Sequence, residues 1–215
     1  AGAPGGPDLG KGPGGGPPGT NAGEAGFVPP PPAFVPQGDL GDFRPDQVAN
    51  LGSDDLKGFQ PDQVRQLAPD AMKGFDASSV GDLAPTAMAG FKPDQIAAMD
   101  PNAMKGFGGD QFAELPPEAM GGFDKKRLGA LPPEAMAGFR PDQMRELDPA
   151  AMKGFDASRI GNLAPTAMAG FQPDQIAAMD LKAMKGFQGD QFAELPPEAM
   201  AGFNARRFGA LPPDA

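Results

Sequence analysis

Eleven phenylalanines recur sixteen residues apart, at Phe43, Phe59, Phe75, Phe91, Phe107, Phe123, Phe139, Phe155, Phe171, Phe187 and Phe203. A period of this length marks a stacked repeat. Each unit is too small to bury its apolar face alone and covers it with its neighbours. The repeat region is therefore expected to span residues 43–215, with this ladder as its core.

The unit reads Phe-x-Pro-Asp-Gln-Val-x-x-Leu-x-Pro-Asp-Ala-Met-x-Gly, and residues 59–74 show it in full. It divides into two octads, one led by Phe and one by Leu or Met. Apolar residues fall at offsets 0, 5, 8 and 13 of the unit. Proline holds the third octad position in 14 of 22 octads. That is a helix-start position, because the first turn does not need the missing N–H. Asp or Glu often follows, as at Asp46, Asp62, Glu118 and Glu134, where the helix dipole favours an anion. With Pro61 as first helical residue, Phe59 precedes the cap and Val64 is the fourth position, the spacing of a hydrophobic staple. Leu67 and Met72 repeat it around Pro69.

Helix ends are as legible. A residue before proline leaves the helical region, so Ala68 and Ala84 must break the chain. Gly58, Gly74, Gly90 and Gly106 suit left-handed C-caps. The helices are thus expected to have five to seven residues, too short to be stable alone. Alternating proline and glycine turns suggest paired helices, one pair per sixteen residues. A β-solenoid is the rival. Only eight of the residues from 43 to 215 are β-branched, and proline recurs where a ladder bond would be needed. The expected fold is all-α, a repeat solenoid of very short helices, two per unit.

A longer period overlies the short one. Residues 75–133 match residues 155–213 at 47 of 59 positions. Duplication of five units explains this. The alternative is that five units make one superhelical turn.

Residues 1–42 differ, with 13 Gly and 10 Pro and no Gly-X-Y period. Residues 1–26 have too little apolar surface to order themselves and are expected to be flexible. Residues 27–42 form a polyproline-type arm, stiffened by four consecutive prolines from Pro29. The arm carries Phe27, Val28, Phe34 and Val35, either as a spacer or as a docking segment for a groove in this molecule or the next. The chain begins with Ala1 rather than Met, which a removed signal peptide would explain.

Composition narrows the chemistry. The chain has no Cys and no His, which removes thiolate nucleophiles, the usual zinc and haem ligands and the commonest general base. A net charge of −10 disfavours nucleic acid and anionic membranes. No apolar run approaches the ~20 residues of a membrane span. Met72, Met88, Met104, Met120, Met136, Met152, Met168, Met184 and Met200 form their own ladder. A copper(I) path would want such thioethers, but they sit at the staple position, where core packing accounts for them. The recurrent Asp46, Asp62, Asp94, Asp110, Asp142, Asp174 and Asp190 complement helix dipoles without clustering for calcium. No catalytic residue, metal site, cofactor or small-molecule substrate is expected.

The octads Phe91-Lys92-Pro93-Asp94-Gln95-Ile96-Ala97-Ala98 and Phe171-Gln172-Pro173-Asp174-Gln175-Ile176-Ala177-Ala178 resemble a tandem repeat of large bacterial secreted and surface proteins. That repeat is written Leu-Thr-Pro-Glu-Gln-Ile-Ala-Ala. The chain departs from it in alternating Phe with Leu and in replacing Gln-Val by Ala-Met in every second octad. The resemblance implies an extracellular stalk or adhesin-type role. The expected function is a structural, self-assembling filament, stalk or matrix subunit whose partner is another copy, stacked head to tail. A monomeric scaffold binding a peptide or protein is the alternative.

Overall fold

A computed structural model describes residues 40–215. The segment 1–26 and the arm residues Phe27, Val28, Phe34 and Val35 lie outside the described residues. From Pro45 to Phe208 each octad forms one short helical segment, and no strand occurs among the described residues. Octads led by Phe are α-helical, as at Pro61–Gln66, Pro93–Ala98 and Pro141–Glu146. Octads led by Leu or Met are 3-10 helices, as at Pro69–Gly74, Pro117–Gly122 and Pro165–Gly170. Two of the latter class lack proline at the third position. These are Ser53–Lys57 and Leu181–Met184, and both are α-helical.

The local signals act as the sequence implies. Gln60 is extended at ψ 155° before Pro61, and Val64 N–H donates back to the Gln60 carbonyl at 3.1 Å. Phe59 and Val64, the staple pair, are both fully buried. Ala68 and Ala84 are extended, at ψ 148° and 142°, as a following proline requires. In the 3-10 segment Ala71 N–H reaches only three residues back, to Ala68, at 3.0 Å.

Stacking follows a different interval from the sequence repeat. Each helix packs on those 24 residues before and after it. Pro93–Ala98 lies between Pro69–Gly74 and Pro117–Gly122, and Gly109–Glu114 between Pro85–Gly90 and Pro133–Gly138. Twenty-four residues are three octads, so the chain winds as a three-walled coil. The expected two helices per sixteen residues are present: two octads make a sequence unit, and three make a turn. Because three is odd, an α-helix stacks on a 3-10 helix in most adjacent pairs, the exceptions being pairs that include Ser53–Lys57 or Leu181–Met184. The 80-residue match is not a coil period either. Eighty residues are ten octads, not a multiple of three, so the match carries an octad onto the next wall; Pro93–Ala98 and its copy Pro173–Ala178 keep equivalent neighbours, Pro69–Gly74 and Pro117–Gly122 for the first and Pro149–Gly154 and Pro197–Gly202 for the second.

The glycines before phenylalanine are corrected. None occupies the left-handed region. From Gly74 onward they are required because two coils touch there, whereas Gly58 meets no such contact. A Cβ on Gly90 would lie 2.0 Å from the Pro61 carbonyl oxygen, and one on Gly122 would lie 2.2 Å from that of Pro93. One continuous core results. The phenylalanine ladder is buried from Phe59 to Phe203, with Phe43 partly buried at the first coil. Eight of the ladder methionines have no exposure at all, and only Met200 is half-buried. Each such side chain contributes ~1.5–3 kcal/mol of burial.

Candidate functional site

Among the described residues, backbone hydrogen bonds between successive elements stay local, none of them reaching another coil. A β-solenoid joins its coils by a backbone ladder, and this one does not. The unpaired carbonyls at each α-helix C-terminus need other partners. In eight units they find them in one side chain, three residues after the helix N-cap.

In five units that side chain is a buried glutamine: Gln95, Gln111, Gln143, Gln175 and Gln191. Gln95 Oε1 accepts the Lys92 N–H at 2.9 Å, closing its own helix start. Its Nε2 donates to the carbonyls of Val64 at 2.6 Å and Leu67 at 2.8 Å, one coil back. Both amide N–H groups are used and the oxygen accepts one bond, so its burial is compensated. The other four repeat this arrangement, with reaches of 31 and 28 residues.

Arginine replaces glutamine at Arg127 and Arg159, and it clips the same corner. Arg127 Nε donates to the Met99 carbonyl at 3.2 Å, and its Nη2 also reaches the Ala97 carbonyl. Arg159 does the same to Leu131, at 3.1 Å, and to Gly129, at 2.6 Å. The cap passes to an aspartate. Asp124 Oδ1 accepts Arg127 N–H at 2.8 Å, while Oδ2 pairs with the guanidinium at 3.0 Å. Asp156 serves Arg159 alike. Both guanidiniums are largely buried, at 15% and 14% side-chain exposure. Arg207, capped by the neutral Asn204, is incompletely satisfied: its Nε is buried without a partner.

Surface cavities lie at corners among the described residues. One of about 360 Å³ is floored by Gly81, Gly106, Gly108 and Gly109. It opens where Gly108 replaces a longer N-cap residue; the equivalent Gln188 donates to Gly161 at 2.8 Å. A second, of about 400 Å³, lies beside Asp124 and Asp148. The third, of about 250 Å³, is lined by Ala49, Leu51, Ser53, Leu56, Asp76, Ser78, Ser79 and Asp82. It opens where Ser79 occupies the clip slot.

The phenylalanine and methionine ladders form the core, and they form no ligand-facing row. The carboxylates are dispersed, and no group able to hold a metal ion occurs among the described residues. Several cap or pair locally. Asp142 pairs with Arg140 at 3.1 Å, which holds its carboxyl below the usual range. The sequence reading missed the clips. Their signal was present, because that slot holds only Gln, Arg or Ser among complete units. The first two share amide-type donors on a side chain long enough to cross to the next coil. No helix among the described residues is long and apolar enough to cross a membrane. No protein-family model matches the chain, and no curated protein matches it.

Proposed function

We propose that this solenoid is a structural, self-assembling protein of the bacterial exterior, a filament, stalk or matrix subunit that extends by stacking copies head to tail. What supports the reading is the coil contact itself. Successive helices of a wall lie 24 residues apart and mostly alternate α with 3-10, so a similar surface recurs every second coil. A contact of that kind between copies does not close on itself and gives a filament. Exposed apolar side chains are present among the described residues, Leu181 at 44% and Phe208 at 47% exposure. The Phe-Val pairs of residues 27–36 supply a segment able to lie on a neighbour's core. The octad resemblance and the negative charge fit an extracellular place, and the reading includes no catalysis, cofactor, nucleic acid or membrane insertion.

Negative-stain electron microscopy across a concentration series tests this. Regular fibres are expected, and discrete particles at every concentration would overturn it. Deleting residues 27–36 is expected to abolish assembly; full-length fibres from that deletion would remove the arm from the joint. The second reading is a monomeric scaffold for a peptide or protein partner, and the corner cavity at Ser79 favours it.

A further inference from the structure

The corner at Ser79 is an arginine corner that lacks its arginine. In the two arginine clips the guanidinium meets three groups: an aspartate three residues earlier, and carbonyls 28 and 30 residues earlier. For Arg127 these are Asp124, Met99 and Ala97, and for Arg159 they are Asp156, Leu131 and Gly129. The same three positions relative to Ser79 are Asp76, Leu51 and Ala49, and all three line the 250 Å³ cavity.

The aspartate is already oriented. Asp76 Oδ1 accepts the Ser79 N–H at 2.8 Å and the Ser79 hydroxyl at 3.0 Å. Asp124 and Asp156 use Oδ1 in the same way and leave Oδ2 for the guanidinium. Ser79 is too short to reach Oδ2 or the two carbonyls across the coil. Charge points the same way. Relative to Ala157–Gly161 and Asn162, the segment Ala77–Asp82 has Ser79 for Arg159 and Asp82 for Asn162. One cation is gone and one anion is added, and the cavity lining holds Asp76 and Asp82 with no basic residue.

We propose that this corner binds the guanidinium of an arginine side chain presented by a partner polypeptide. The planar fork would set one edge against Asp76 Oδ2 and donate its remaining N–H groups to the Leu51 and Ala49 carbonyls, as Arg127 and Arg159 do in their own corners. A lysine ammonium presents no such fork and is bound less well. The occupant is not the 1–39 segment, which contains no arginine. The inference does not depend on whether copies of the chain assemble.

The test is a nuclear magnetic resonance titration of the full chain with Nα-acetyl-arginine N-methylamide, using the lysine analogue as control. Expected are saturable millimolar shifts at the Leu51, Asp76 and Ser79 amides. Binding should be about tenfold weaker for the lysine probe, and also for Asp76→Asn, the equivalent of one lost charge-assisted bond. Ser79→Arg should fill the corner, abolish the shifts and raise the Tm. No shift at saturating probe, equal binding of both probes, unchanged binding in Ser79→Arg, or a lowered Tm in that variant would each overturn the proposal.

Discussion

Gln175 donates from Nε2 to the carbonyl of Leu147 at 2.8 Å, across 28 residues of chain. This bond, with its partner to Met144 at 2.7 Å, replaces the backbone ladder that would join coils of a β-solenoid. A helical coil consumes its own N–H groups, so it has none to lend to the next coil. A glutamine or arginine side chain at most corners does the joining instead.

Removing that amide should therefore destabilise far more than removing its counterpart at the first coil. Gln175→Leu is expected to cost about 2–3 kcal/mol, from a lost cap bond and an unpaired buried carbonyl. Gln47 is exposed and serves only the Arg44 N–H, at 3.0 Å, so Gln47→Leu should cost no more than ~1 kcal/mol. Urea midpoints of the two variants decide it, and equal midpoints would refute the clip role.

Two adjacent glycines separate close approach from backbone freedom. A Cβ at Gly122 would lie 2.2 Å from the Pro93 carbonyl oxygen and 2.7 Å from the Ile96 Cβ. At Gly121 the nearest atom would be 3.9 Å away. Gly122→Ala should force the coils apart, at ~3 kcal/mol or more, because backbone on both sides cannot give way. Gly121→Ala should be neutral or stabilise by up to ~1 kcal/mol through the unfolded chain. Thermal unfolding of both measures the contrast.

Oxidation should follow methionine burial. Met200 is half-buried, and the other eleven methionines are buried. Dilute peroxide is expected to convert Met200 to its sulfoxide before Met136 or Met152, as peptide mass spectrometry would show. Uniform oxidation of all twelve would mean that the coils open together.

Stability should be flat from about pH 9 down to about pH 5, because the chain has no histidine and no cysteine to titrate there. The Ser79 N–H holds the Asp76 carboxyl below the usual range, and the Arg140 side chain does so for Asp142. A carboxylate lowered on folding contributes its stability above its unfolded value, about 3.9, and loses it as pH falls through the folded value. Denaturation midpoints should accordingly decline below about pH 4, and less steeply in Asp142→Asn. An identical acid slope in that variant would rule out the Arg140 pair as a contributor.

The octads were readable from the chain because their signals are local. Pro61 starts a helix, Ala68 before Pro69 ends it, and Phe59 with Val64 staples it, all within ten residues. Helix lengths, the buried ladders and the absence of a strand pattern follow from those signals. The number of octads per coil does not, because it depends on the angle at each extended corner residue and no single octad encodes it. The glycines were visible, but their reason was not: Gly122 answers to a carbonyl 29 residues away, not to its own φ. Gln175 likewise looked like helix surface until the coil placed Leu147 beside it. Local chemistry wrote the helices, whereas the three-octad coil, its glycine contacts, its clips and the empty corner at Ser79 exist only once segments some thirty residues apart are packed together.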